Sequence, residues 1–172
     1  MNWKYIVLHH STKPDGETLE WSGIRKYHMS YRIDYHIVTK DNYFARLKIH
    51  DGNVFEEPYS DNGYNFGCED IYGEYEVLVG RPLTRPGAHC KQKSMNTKSI
   101  GICFVGNYDL AKPDMNMILV CMNRIILPLC KIYDIGWNNI VGHREVTGVQ
   151  KSCPGSQFDM DVVRELVRHE LK

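Results

Sequence analysis

Neither sign of charge is in excess in this 172-residue chain, in which 21 Lys and Arg residues balance 21 Asp and Glu residues. Without a basic surplus, the composition argues against nucleic-acid and anionic membrane partners. No apolar run approaches the roughly 18 residues of a membrane span, because polar residues and Pro128 interrupt the longest stretch, 115–132. The length suits one domain with a sizeable core, so we expect 1–172 to form a single domain, most simply a monomer.

The amino terminus also lacks a secretory signal, because its apolar run over 3–9 is too short and already carries a charge at Lys4. We therefore expect synthesis in the cytoplasm and reduced thiols, although the six cysteines are an even number. Five of the six have no evident chemical role. Cys153 differs from them, because it lies in a Lys-Ser-Cys-Pro-Gly turn.

Strand and helix patterns alternate along the chain and predict an α/β domain with a mixed central sheet and helices on both sides. Strand patterns cover 3–9, 33–39, 76–79, 99–106 and 139–142. Helical patterns cover about 18–29, then 113–126 with a kink or end expected at Pro128, then a last helix with Asp159 as its N-cap.

One segment breaks this pattern. Residues 49–80 contain no Lys or Arg, whereas eight acidic residues fall in the same stretch. Such a composition is typical of a solvated excursion, and we expect an acidic surface insertion at about 43–76. The alternative is a dedicated site for a partner.

Two distant segments hold the residues with chemical potential. One is Leu8-His9-His10 near the start; the other spans 143–155 and contains His143, Lys151 and Cys153. Imidazole and thiolate ligands suit zinc, which keeps an open position for water when only three protein ligands bind it. A histidine such as His9, taken alone, would be a core residue, but the three ligands together favour a metal site. His10 should face the opposite side of its strand.

Ordered motifs along most of the chain resemble the zinc-dependent N-acetylmuramoyl-L-alanine amidases, a family shared by phage lysozyme-type amidases and peptidoglycan recognition proteins. The matching text lies at 6–11, 24–28, 34–38, 80–83, 86–90, 99–106, 141–146 and 151–155. Residues 49–76 have no clear counterpart in that pattern. The resemblance implies a groove holding one Zn²⁺ ion, with ligands His9, His143 and Cys153.

By the same resemblance, Tyr35 hydrogen-bonds the attacking water and Lys151 faces the substrate carbonyl. The implied reaction is hydrolysis of the amide between N-acetylmuramic acid and L-alanine in peptidoglycan or a muropeptide. Weaker candidates for lining the substrate groove are His28, His89 and Asn96. An enzyme without a signal would act on the cell wall after release, as in phage lysis, or would work in the cytosol.

Two alternatives stay open. A recognition module would bind muropeptide without cleaving it, although such relatives usually lack the thiol that Cys153 supplies. A cysteine peptidase would use Cys153 as nucleophile and His143 as base. This second alternative leaves His9 without a role and has no evident third residue to orient the base.

Overall fold

A computed structural model of the chain describes residues 1–11, 20–49 and 52–172. Its main sheet contains β1 (Tyr5–His10), β5 (Phe66–Ile71), β6 (Glu74–Val79), β7 (Ser99–Phe104) and β8 (Ile140–Gly142). The strands lie in the order β6-β5-β7-β1-β8. β1 is parallel to β7 and β8, and β5 is parallel to β7 but antiparallel to β6. The predicted mixed sheet is therefore confirmed.

A second, smaller sheet contains β2 (Tyr31–Ile33), β3 (His36–Val38) and β4 (Phe55–Glu56), in the order β3-β2-β4. The single strand predicted over 33–39 is wrong, because β2 and β3 form an antiparallel hairpin.

The hairpin turn consists of Asp34 and Tyr35, with φ of 48° and 68°. Two-residue turns of this handedness usually carry Asn-Gly or Asp-Gly. The sequence Asp-Tyr gives no such signal, which explains the missed turn. His36, the first residue of β3, is exposed.

The helices are short. They are α1 (Trp21–His28), α2 (Lys40–Leu47), α3 (Met95–Lys98), α4 (Met115–Cys121), α5 (Leu127–Tyr133) and α6 (Met160–Glu170). Single 3₁₀ turns cover Gln92–Ser94, Trp137–Asn139 and His143–Glu145. The predicted start of the first helix, near residue 18, lies outside the described residues. Asp159 caps α6 as predicted, because its side chain accepts hydrogen bonds from the backbone of Asp161 and Val162.

α4 and α5 belong to one continuous helix, joined by the π-helical segment Met122–Ile126. Pro128 therefore does not end the helix, and of the two predicted outcomes, a kink or an end, the end is wrong. Proline lacks an N–H and clashes with the preceding turn, and the wider π segment directly before it accommodates both effects. By length and composition the whole helix, Met115–Tyr133, could span a membrane, which the sequence did not predict. Half of its apolar stretch is buried inside the domain.

Helices cover both faces of the main sheet, as predicted. On one face, Ile6 and Leu8 of β1 join the large core formed with the α4–α5 helix and α6. On the other face, Val7 packs with Cys90, Met95 and Val146. The Trp21 ring of α1 also lies on this second face, directly over Gly67 of β5. All six cysteines are buried and unpaired.

The acidic segment is not a surface insertion along its whole length. Its second half contains β5, an internal strand of the main sheet, and Cys68 on that strand is fully buried. The acidic side chains misled the prediction because several of them lie in the hairpin that joins β5 to β6 and along the outer strand. The neutral side chains of β5 supply the buried contacts.

Candidate metal centre

Two parallel strands bring two imidazoles together at one edge of the sheet. Leu8 of β1 pairs with Gly142 of β8, and the next residue on each strand is a histidine. The ring centroids of His9 and His143 lie 4.6 Å apart. The carboxyl ends of neighbouring parallel strands meet at the same edge, which is where ligands bind in open α/β sheets.

Cys153 completes the group from the loop that follows β8. Its Sγ lies 3.5 Å from His9 Nδ1. The ligand atoms of His9, His143 and Cys153 all lie within 4.8 Å of one another. In the described part of the chain, this is the group of three ligand-type residues close enough to share a metal ion.

The donor set and its spacing fit zinc. In a tetrahedral site with the usual Zn–N and Zn–S bond lengths, nitrogen and sulfur ligands lie about 3.5 Å apart, which matches the His9–Cys153 distance. His143 Nε2 is buried and has no hydrogen-bond partner among the described residues. A buried imidazole nitrogen without a partner calls for an explanation, and a cation bound by the ring that contributes to this ligand group supplies one.

The protonation states also suit metal binding. Burial lowers the pKa of His9 well below its usual value and that of His143 to about 4, so both imidazoles are neutral at pH 7 with a lone pair available. Burial raises the pKa of the Cys153 thiol to about 12. A divalent cation would displace the thiol proton on binding, so metal affinity should rise with pH.

The turn that carries His143 is anchored from behind. The Glu145 carboxylate accepts the Gly142 N–H at 2.7 Å and forms two ion-pair contacts with Arg164 of α6, at 2.9 and 3.0 Å. Arg144 reaches the other way, and its guanidinium donates to the carbonyl oxygens of Gly155 and Phe158 in the cysteine loop. No role was assigned to Arg144, Glu145 or Arg164 from the sequence. The position of Arg144 and Glu145 beside His143 was the available signal.

Asp109, in the loop after β7, holds the cysteine turn on both sides of Cys153. Its carboxylate accepts the Ser152 hydroxyl at 2.7 Å and the Ser156 N–H at 2.7 Å. These hydrogen bonds lower the pKa of Asp109. The same carboxylate lies 3.9 Å from His10 Nε2, so it faces the strand that carries the first ligand as well. His10 itself is buried on the opposite face, as predicted, and accepts the Tyr108 N–H.

The three ligands lie in the wall of a groove. A cavity of about 550 Å³ is lined by all three together with Tyr35, Lys151 and other residues. A second cavity of about 690 Å³ adjoins it, and Tyr35 and Lys151 line both. The aromatic lining is rich in tyrosine: Tyr27, Tyr35, Tyr59 and Tyr64. The predicted residues therefore meet at one groove.

Tyr35 is presented at the mouth of the groove by the β2–β3 hairpin turn. It is about half exposed and adopts left-handed backbone geometry, which a bulky residue tolerates only under constraint. Asp34 supplies that constraint, because its side chain accepts the Val54 N–H at 2.8 Å and its own N–H donates to the Val54 carbonyl. The turn thus places Tyr35 in the lining of the groove.

The three weaker candidates also reach the groove. His28 lines the first cavity, where its Nδ1 accepts the Gly63 N–H at 3.1 Å and its ring stacks on Tyr59. Burial lowers its pKa to about 4. His89 lines both cavities, and Asn96 lines the second one. Their roles toward a substrate stay predictions.

Comparison with known proteins agrees with this architecture. A family model described as N-acetylmuramoyl-L-alanine amidase matches residues 1–156. The endolysin amidase LysCS from Clostridium intestinale superposes with a TM-score of 0.62 at 19% identity, covering 97% of this chain and 84% of that one. A Drosophila PGRP-LB variant in complex with tracheal cytotoxin gives a TM-score of 0.59 at 21% identity, covering 94% and 83%.

Curated relatives are also similar in sequence. Peptidoglycan-recognition protein LB of Drosophila melanogaster is 28% identical over 158 residues, which is 92% of this chain. The chain spans 57% of the length of that relative. Peptidoglycan-recognition protein SC1a of the same species is 33% identical over 98 residues, covering 57% of this chain and 49% of the relative.

Proposed function

Because the chain belongs to the N-acetylmuramoyl-L-alanine amidase family, we propose that it is a zinc-dependent hydrolase of the amide between N-acetylmuramic acid and L-alanine in peptidoglycan. One observation carries this proposal. Two imidazoles and a thiol converge within 4.8 Å in the wall of a groove that Tyr35 and Lys151 also line. The similarity to peptidoglycan-recognition proteins supports the choice of substrate class.

His9, His143 and Cys153 would hold the zinc. When bound there, zinc supplies Lewis acidity that polarises a carbonyl and lowers the pKa of a water molecule from 15.7 toward about 7. The neutral state of the two buried imidazoles favours this role, because a protonated ring cannot donate a lone pair. His9 lies in β1 and His143 directly follows β8, so the two paired strands fix their separation before metal arrives.

Lys151 contributes charge at the reacting carbonyl. Lys151 lines the same groove as all three ligands, and its ammonium would stabilise the negative charge that develops on the carbonyl oxygen as water attacks. The contribution is selective for the transition state, because the ground-state amide carries only a partial charge.

Tyr35 orients the attacking water and can pass a proton to the leaving amine. Its hydroxyl is suited to this task because the hairpin turn holds it at the groove mouth, where a substrate amide would meet it. Holding the phenol close to the substrate amide reduces the loss of entropy on the way to the transition state.

The surroundings of Cys153 argue against the cysteine-peptidase alternative. A nucleophilic thiol needs a lowered pKa, whereas burial raises that of Cys153 to about 12. The recognition-module alternative differs in its prediction for metal, because binding without cleavage requires no competent zinc.

Digestion of purified cell walls tests the proposal. Zinc-loaded protein should release peptides with a free N-terminal alanine and leave the glycan strands intact, as read by mass spectrometry. Treatment with a chelator should stop the release and zinc should restore it. Cys153→Ser provides the matched control, which should bind walls without cleaving them.

Cleavage that continues at the same rate in chelator would refute the zinc mechanism. Tight wall binding without any cleavage by the zinc-loaded chain would favour the recognition module. Cleavage at a bond other than the one to alanine would refute the substrate assignment.

A further inference from the structure

The imidazole of His9 is held between two groups, one at each ring nitrogen. Nδ1 lies 3.5 Å from Cys153 Sγ, and Nε2 lies 3.0 Å from His89 Nδ1. The side chain is only 1% exposed. Nδ1 of His9 therefore faces the thiol, and Nε2 contacts the second imidazole, that of His89.

We infer that His89 is a positioning residue that fixes the tautomer and the ring orientation of His9. For Nδ1 to donate its lone pair to a metal, the proton of neutral His9 must reside on Nε2. Nε2–H then donates to His89 Nδ1, which requires the proton of His89 to reside on its own Nε2, a buried atom without a hydrogen-bond partner among the described residues. This inference rests on the proposed zinc site, and it gives His89 a role through His9 in place of the predicted contact with substrate.

His89 is itself immobilised, which a positioning role requires. Its ring lies against the backbone of Gly101 on β7, where an added Cβ would approach Cδ2 to 2.5 Å. The backbone N–H of His89 donates to Asn96 Oδ1 at 2.8 Å, and the same oxygen accepts the backbone N–H of Cys90 at 2.7 Å. Glycine at 101 therefore makes room for the ring, and Asn96 locks the loop that carries it.

The chemistry of the pair suits a zinc ligand. Ligating histidines usually donate their second N–H to a carboxylate, a carbonyl or water, and this partner sets the tautomer. A neutral imidazole acceptor does the same without adding negative charge to the site. Loss of such a partner typically weakens metal binding by about 10–100-fold, because the ligand ring gains tautomeric and rotational freedom.

Substitution of His89 by Leu and by Asn separates positioning from packing. Leucine fills a similar volume but accepts no hydrogen bond, whereas the Asn Oδ1 is bonded to Cγ as Nδ1 is and can accept from His9. Zinc affinity is measured by competition with a chromophoric chelator. We expect His89→Leu to bind zinc about 10–100-fold more weakly than the unmodified chain and His89→Asn to recover most of the loss.

Thermal unfolding in chelator provides the control for folding. A purely structural role would lower the unfolding temperature of His89→Leu without changing zinc affinity once the chain is folded, and that result would overturn the inference. Failure of the unmodified chain to bind zinc would instead overturn the proposed function. The two failures are therefore distinguishable.

Nitrogen NMR on the unmodified, zinc-loaded chain gives a second test that needs no variant. The ¹⁵N shifts of His9 should show Nε2 protonated and Nδ1 bound to metal, and those of His89 should show Nε2 protonated. A His9 ring that binds metal through Nε2 would contradict the inference, whatever the variants do.

Discussion

Replacement of Asp109 by alanine tests how the cysteine ligand is held in place. The carboxylate accepts hydrogen bonds from Ser152 and Ser156, which flank Cys153 at a distance of one and three residues. Alanine removes both bonds and leaves the turn free to move its thiol away from the two histidines. We therefore expect both a less stable fold and weaker zinc binding.

The size of the effect follows from the geometry. A hydrogen bond to a charged group contributes about 1.5–3 kcal/mol. The Asp109 side chain is 32% exposed, so water replaces part of each bond, and we expect a total loss of about 2–3 kcal/mol. For a chain of this size each kcal/mol lowers the unfolding temperature by about 2–4 °C, which predicts a decrease of about 4–12 °C.

The loss should also depend on pH. The hydrogen bonds lower the pKa of Asp109 in the folded chain. Their contribution is therefore complete above the unfolded pKa of about 3.9 and disappears as pH falls through the lower folded value. The difference in unfolding temperature between the unmodified chain and Asp109→Ala should shrink as the pH is lowered below about 4.

Calorimetry with and without zinc measures these effects, and Asp109→Asn is the matched control because the amide can still accept the Ser156 N–H. A double-mutant cycle with Ser152→Ala isolates the contact between the two side chains. The reasoning is refuted if Asp109→Ala leaves both the unfolding temperature and the zinc affinity unchanged. Absence of coupling with Ser152 would refute the assigned hydrogen bond.

Three further predictions concern the groove. Lys151→Ala should retain zinc and lose about 10²–10³ in kcat, whereas zinc content as low as that of Cys153→Ser would contradict its assignment to the substrate carbonyl. Tyr35→Phe should also retain zinc and lose about 10²–10⁴ in kcat, and an unchanged rate would exclude the phenol from proton transfer. Burial of neutral His28 lowers its pKa to about 4, so the unfolded chain binds a proton more readily and the fold should lose up to about 3 kcal/mol as pH falls from 6.5 to 4. His28→Asn should reduce this pH dependence of the unfolding temperature by the His28 share, because the other buried histidines keep theirs, and a slope equal to that of the unmodified chain would contradict the burial argument.

Two central strands, β1 and β7, could be predicted from their local patterns. Both come from short apolar runs rich in β-branched residues and bounded by polar residues, which favours a buried strand over a helix. His9 and His143 meet in the structure because the carboxyl ends of neighbouring parallel strands lie at one edge of the sheet. The assignment of Cys153 as a metal ligand depended on the resemblance to a known family, because that resemblance identified the other two ligands.

The hairpin that carries Tyr35 could not be read in the same way. Its turn uses Asp34 and Tyr35 in a conformation that glycine or asparagine normally adopts. The contacts that stabilise it come from Val54, twenty residues away. Tertiary hydrogen bonds overrule local preference here, and a single sequence does not reveal them.

The prediction that the acidic segment is a surface insertion failed for a related reason. The eight carboxylates suggested that the whole segment is exposed to solvent. An internal strand, however, needs only alternate residues to be apolar. Glu69 on β5 shows how a carboxylate is accommodated, since it accepts the Trp21 N–H at the start of α1. Likewise, the contact between His9 and His89 joins residues 80 positions apart and has no signature in either local motif.

X-ray absorption spectroscopy of the zinc-loaded chain tests the central claim most directly. One zinc per chain should show two nitrogen ligands at about 2.0–2.1 Å, one sulfur at about 2.3 Å and one light-atom ligand in the fourth position. Cys153→Ser should remove the sulfur contribution. A first shell without sulfur in the unmodified chain, or zinc that fails to bind at all, would contradict the account.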